Sequence, residues 1–162
     1  MNQAKIWVSQ AIYKFKVAVA LLDAQLWQDS CLASQQASEL SGKAILCHCD
    51  IDFRKTHDIG LIYKKAEEEG ILEMSGNLVR AANQMTRDYL EGRYPRPDSE
   101  RPPFLMFDET DAKERLRWAM SFIDMVSNLI PEAISEYESE EIHKMLDRAC
   151  KETAATGLKN RP

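Results

Sequence analysis

The side chains most able to do chemistry fall in a few short stretches of the sequence. Cys47-His48-Cys49, with His57 nearby, has the residue types of a zinc site. Zinc ligands usually sit about two to four residues apart. On a helix, however, positions 47 and 49 point about 200° apart. A buried helix end with incidental thiols is the better reading, and no metal is assigned. Asp50-Ile51-Asp52 offers the paired carboxylates that can hold Mg²⁺ for phosphoryl transfer, with Ser41-Gly42 upstream. That chemistry calls for Gly before Ser on a strand-turn-helix unit. Here the order is reversed inside a helical pattern, so a solvated loop is expected. Gln36, Glu39 and Lys43 share one helix face at spacings of three and four. They form either a solvated ion pair or the polar lining of a cleft between helices.

The last cluster runs from Arg80 to Arg101 and holds Arg80, Arg87, Arg93, Arg96 and Arg101, with Tyr89 and Tyr94 among them. Guanidinium forks match phosphate oxygens, and tyrosine faces stack on bases. Asp88, Glu91, Asp98 and Glu100 interleave. On residues alone, a loop held down by Arg–carboxylate pairs is favoured over a phosphate-binding patch. The glycine-rich phosphate loops, the His-Glu-x-x-His zinc motif and the Gly-x-Ser-x-Gly elbow do not occur.

The elements that must position these residues follow from composition and spacing. The chain has 162 residues, with 44% apolar and 29% charged, which suits one globular domain. Its 21 basic and 26 acidic residues give a net charge of −5, which excludes a broadly basic nucleic-acid coat. Neither a membrane-length apolar run nor a signal-peptide pattern is found, so a cytoplasmic protein with reduced, partly buried thiols is expected. All six prolines lie after residue 94, leaving the first part free for long helices.

Apolar spacing predicts helices over 3–27, from Asp29 or Ser30 to about Cys49, from the Thr56-His57-Asp58 cap to Gly70, over 72–91, and from Asp108 or Thr110 to Leu129. Residues 131–156 are expected to be helical with a restart at Ser139, and 155–162 to fray. The fourth helix should bury Leu78, Ala82, Met85 and Tyr89. The fifth, apolar around most of its girth, should be central or lie in a subunit contact. No period-2 stretch occurs. The expected fold is therefore all-α, an antiparallel bundle of five to six helices.

The ordered set Ser34-Gln35-Gln36-Ala37-Ser38-Glu39-Leu40-Ser41-Gly42-Lys43, then Thr56-His57-Asp58-Ile59, then Tyr89 and Arg93-Tyr94-Pro95, resembles HEPN domains. The likeness runs from about residue 8 to 130. It divides the chain into a HEPN-like bundle, 1–130, and an acidic helical extension of the same domain, 131–162. The resemblance implies a homodimer with a nucleotide- or RNA-related role. Many family members are metal-independent ribonucleases whose signature is an Arg followed four to six residues later by a His. No His follows any Arg of the 80–101 cluster at that distance, and Arg54 precedes His57 by only three positions.

The closer likeness is to Arg-Tyr-Pro members, similar to the helical half of aminoglycoside-type nucleotidyltransferases. It implies a non-catalytic partner that binds nucleotide or RNA, without a cofactor, beside a small nucleotidyltransferase. Lys43, Arg87 and Arg93 would meet phosphates and Tyr94 a base, with Gln36 and Glu39 lining the cleft. His57 is a further nucleotide-binding candidate, although capping and orienting the third helix is its favoured role, which would leave no imidazole beside the arginines. The alternatives are a pure interaction module of a toxin-antitoxin-like pair, docking through the fifth helix, and a divergent ribonuclease using His57 or His48 with Arg93.

Overall fold

A computed structural model describes residues 3–53 and 55–151. Among the described residues there are six α-helices: α1 (Gln3–Asp23), α2 (Trp27–His48), α3 (Ile59–Glu68), α4 (Gly76–Gly92), α5 (Glu109–Leu129) and α6 (Glu136–Cys150). Short 3-10 turns occupy Pro103–Met106 and Pro131–Ala133. No strand occurs among the described residues, so the all-α expectation holds. None of the described helices is long and apolar enough to cross a membrane.

Helix α2 is the axle of the bundle. It packs against α1, α3, α4 and α5, while α5 lies against α1, α2, α4 and α6. Helix α5 is central, as one of its two expected placements has it. Its buried stripe of Leu116, Ala119, Phe122, Ile123 and Val126 does lie in the core. The most enclosed helix is nevertheless α2, whose buried face includes Ser30, Ser34, Ser38, Ser41 and Gly42. Small side chains let neighbouring axes approach closely. Two of the hydroxyls satisfy themselves on the preceding turn: Ser38 Oγ donates to the Ser34 carbonyl at 3.0 Å and Ser41 Oγ to that of Ala37 at 2.8 Å.

At Gly42 the approach is tightest. A Cβ there would lie 2.6 Å from Ile62 Cγ2 and 2.8 Å from Tyr63 Cε2. Tyr63 cannot withdraw easily, because its hydroxyl donates to the Ser38 carbonyl at 3.1 Å and its ring packs 4.6 Å from that of Phe122. Gly42→Ala is expected to destabilise the fold by about 1–3 kcal/mol through overpacking. A urea midpoint unchanged from wild type would contradict this close contact.

Helix starts follow their caps where a cap exists. Asp58 accepts from Leu61 N, Ser75 from Leu78 N, and Asp108 from Asp111 N. Asp108–Asp111 and Ser135–Glu138 each close a full capping box. Several boundaries move from those predicted. Helix α1 stops at Asp23, and α2 begins at Trp27 with no side-chain cap. Asp29 and Ser30 are thus inside α2, and Ser30 Oγ donates to the Ala18 carbonyl of α1 instead. Helix α4 begins at Gly76, not 72, and α6 at Glu136, not Ser139. Gly70, at φ +70°, closes the turn after α3 as expected. The expected fraying of 155–162, and Arg54, lie outside the described residues. The thiols are all free, with Cys31 buried in α2 and pushed up to about 12 chiefly by that burial.

Helix α6 is lightly attached, with Ile142 its one buried residue among those described. Lys16 of α1 meets Glu141 at 2.6 Å, and His143 Nε2 meets Asp124 of α5 at 3.0 Å. His143 Nδ1 also faces the Ser139 carbonyl at 2.7 Å, so both ring nitrogens face acceptors, the arrangement an imidazolium fills. Burial alone would pull this imidazole down, but the Ser139 carbonyl and Asp124 together raise it above its ordinary 6.5. A raised folded-state value contributes stability that is fully present below the unfolded value and is lost as pH rises through the folded one.

Because His143 and Asp124 are 44% and 43% exposed, screening limits the effect to a few tenths of a kcal/mol. Unfolding free energy is therefore expected to fall slightly more between about pH 5.5 and about pH 8.5 in wild type than in Asp124→Asn. Identical pH slopes would show that this α5–α6 contact contributes nothing.

Candidate functional site

A cleft of about 260 Å³ opens between α1, α2 and the end of α4, lined by Gln10, Lys14, Gln36, Glu39, Leu40, His57, Tyr89 and Arg93. Three helices and the loop before α3, which carries His57, supply it. On α2, Gln36, Glu39 and Leu40 follow the three- and four-residue spacing. On α1, Gln10 and Lys14 lie one turn apart. Tyr89 on α4 and Arg93, the residue just after its end, do the same, beside the buried face of Ala81, Ala82, Met85, Asp88 and Gly92.

Glu39 is the organising residue. It is only 7% exposed and collects three donors. Lys43 Nζ donates to Oε1 at 2.7 Å, and His57 Nδ1 meets the same oxygen at 3.0 Å. Gln35 Nε2 donates to Oε2 at 3.1 Å. A buried carboxylate without such partners would be strongly unfavourable. Lys43 is itself 5% exposed, lies 6.0 Å from the Trp7 ring centroid, and belongs to the wall of the bundle, not to the free surface.

The segment carrying His57 is pinned on either side. Asp58 N donates to Thr56 Oγ1, Asp58 caps α3, and Ile59 N donates to Thr86 Oγ1 on α4. The cap of α3 is therefore Asp58. The sequence favours that task for His57, but its imidazole turns inward to Glu39 and stacks on Tyr89, with ring centroids 5.3 Å apart and an interplanar angle of 20°. Arg93 contacts the same tyrosine, its Cζ 4.7 Å from the ring centroid and its Nη1 donating to the hydroxyl at 2.7 Å. An imidazole and a guanidinium thus share one cleft within one chain. The expectation that the arginine corner has no imidazole beside it is overturned. The contact joins residues from the start of α3 and the end of α4, which spacing along the chain does not relate.

Of the residues singled out from sequence, Gln36, Glu39, His57 and Arg93 line the cleft. Lys43 stands behind it. Arg87 does not join: six residues at 100° each set it about 120° around α4 from Arg93, and its Nη2 donates to Gln84 Oε1 at 2.6 Å. Tyr94 is 69% exposed and outside the cleft, with Arg93 Cζ 5.9 Å from its ring. Sequence reasoning misses Gln10 and Lys14. Their signal is the Trp7-Gln10-Lys14 spacing, which continues the helix face beside Trp7. Tyr89, which apolar spacing places in the buried stripe, is a cleft residue. Neither Lys14 nor Arg93 has a carboxylate partner among the described residues, whereas Arg96 is paired with Glu91 at 2.5 Å.

With fold and cleft in view, the comparisons with known proteins fall into line. The HEPN domain profile matches residues 4–129, and the chain belongs to the HEPN domain family. Among solved structures, TT1696 from Thermus thermophilus superposes with a TM-score of 0.74 at 25% identity, covering 80% of this chain and 100% of that one. ST0689, an archaeal HEPN homologue, superposes with a TM-score of 0.64 at 23% identity, covering 79% and 98%. No curated protein matches the sequence. Helix α6 lies beyond the matched family segment.

Proposed function

We propose that this HEPN protein binds a nucleotide in the α1–α2–α4 cleft, with Lys14 and Arg93 meeting the phosphate. One observation carries the reading: two cations without carboxylate partners among the described residues line one cleft on a chain of net charge −5. Elsewhere acids outnumber bases, so an anion is drawn to this corner. Gln10 and Gln36 add amide donors and acceptors, and Leu40 adds an apolar contact. Binding is the whole of the activity in this reading. A homodimer and a small nucleotidyltransferase, implied by the family resemblance, belong to the same proposal. The exposed apolar residues Leu90, Tyr94, Phe104, Leu105 and Met106 support a protein contact. Calorimetric titration with ATP, GTP and a short RNA tests the binding claim, and no heat up to millimolar ligand ends it.

A second reading, a divergent ribonuclease, is favoured by one specific contact. Glu39 holds His57 Nδ1 at 3.0 Å, which fixes the ring and leaves Nε2 for proton transfer in the cleft shared with Arg93. Under this reading RNA is cut, and the cutting disappears in both His57→Ala and Arg93→Ala. Intact RNA after long incubation with wild-type protein removes it.

A further inference from the structure

The cleft has a polarity that the bare proposal of nucleotide binding does not use. Its carboxylate lies deep, with Glu39 7% exposed, while Arg93 at the mouth is exposed to solvent. An ionised carboxylate has about four acceptor positions. Three are filled, two on Oε1 by Lys43 and His57 and one on Oε2 by Gln35. Glu39 also lines the cleft, so its carboxylate is presented to whatever enters there. A phosphate seated at this depth would put oxyanion against oxyanion. A base edge with a carbonyl there would set lone pair against lone pair. A group that brings an N–H donor instead gains a charge-assisted hydrogen bond.

We infer that the nucleotide enters base first, giving an exocyclic amino group to the Glu39 carboxylate and leaving its phosphate at the mouth with Lys14 and Arg93. Glu39 is then the residue that selects the ligand, and Lys14 and Arg93 supply attraction without selection. The inference rests on the proposed nucleotide-binding function. It goes beyond it by assigning the ligand's orientation and the chemical group recognised. A cleft of about 260 Å³ is small for a ligand site, which agrees with holding a base and leaving the phosphate outside.

The experiment is calorimetric titration of the wild-type chain with AMP, with purine riboside 5′-monophosphate, which lacks only the 6-amino group, and with ribose 5-phosphate, which lacks the base. AMP is expected to bind about 10- to 100-fold more tightly than either, the range for one hydrogen bond to a charged group. Equal affinity for AMP and purine riboside 5′-monophosphate would overturn the assignment of Glu39 while leaving nucleotide binding intact. Ribose 5-phosphate binding as tightly as AMP would overturn the base-first orientation. Absence of binding by all of them would remove the functional proposal itself, and this inference with it. In Glu39→Gln the preference for AMP over purine riboside 5′-monophosphate is expected to shrink to about threefold or less, as a neutral acceptor gives a weaker bond. A full preference retained in a folded Glu39→Gln would contradict the role of the carboxylate. Should Glu39→Gln fail to fold because Lys43 loses its partner, the three-ligand comparison on wild type decides alone.

Discussion

Replacing Arg115 with alanine is expected to destabilise the protein by about 3–5 kcal/mol, the loss typical of breaking a buried ion pair from one side. Arg115 of α5 and Asp88 of α4 have side chains 7% and 5% exposed. Their fork is two-pronged, with Nε to Oδ2 at 2.8 Å and Nη2 to Oδ1 at 3.4 Å. Burial alone would pull the guanidinium down, but the Asp88 hydrogen bond and charge leave it raised. Glu114 accepts from Nη1 at 2.6 Å, Gln84 donates to Asp88 Oδ1 at 3.0 Å, and Trp118 lies 4.9 Å beneath the guanidinium carbon.

Alanine at 115 strands Asp88 as a lone buried charge. Total stability of a domain is about 5–15 kcal/mol, so the variant should stand close to unfolding. The double substitution Asp88→Leu with Arg115→Met should recover most of the loss, since an apolar pair of similar volume is often no worse than the ion pair. Urea denaturation of the single and double variants measures both effects. A loss of less than about 1 kcal/mol in Arg115→Ala would mean that the pair is solvated.

Arg93→Ala is expected to weaken nucleotide binding by about 10- to 100-fold, the range for a charge-assisted contact to phosphate. Arg87→Ala should leave affinity within about twofold of wild type, because position 87 lies about 120° around the helix. The contrast is sharp because the two residues have the same side chain, one within α4 and the other at its C-terminal cap. Arg93 also sits directly after the anchored end of α4. Gln28 donates to the Gly92 carbonyl, and a Cβ at Gly92 would lie 3.2 Å from Phe107 Cζ. The helix end is thus held while the Arg93 side chain is left for ligand. Calorimetry with AMP on both variants checks the pair, with thermal melts to establish that each is folded. Equal losses in the two would mean that general positive charge, not the cleft, attracts the ligand.

The residues explain which features can be read ahead of the structure. The starts of α3 and α5 are legible because Asp58 and Asp108 carry oxygen atoms that cap free backbone N–H groups. The start of α2 is not, because no side chain caps it and the turn after α1 is closed by backbone bonds such as Leu26 N to the Leu21 carbonyl. The burial of α2 is masked by its serines, two of whose hydroxyls, on Ser38 and Ser41, are absorbed by the preceding turn and so need no water. Helical spacing puts Gln36 and Glu39 on one face but leaves open whether that face is solvated or lines a cleft. The His57–Glu39 contact spans 18 positions and passes through a loop, so no periodicity reports it. Asp88 and Arg115 are 27 apart, and Asp88 lies in a run of charges that resembles solvated surface. Arg87 and Arg93 look alike in a charge count. Only the turn of the helix tells them apart.

The most direct test of nucleotide binding in the α1–α2–α4 cleft is a titration of ¹⁵N-labelled protein with AMP, followed by the backbone amide shifts of each residue. The largest changes are expected at Gln10, Lys14, Gln36, Glu39, His57 and Arg93, saturating along one binding curve. Shifts gathered instead in the groove between α3 and α4, around Leu61 and Val79, or no shifts at millimolar AMP, would contradict it.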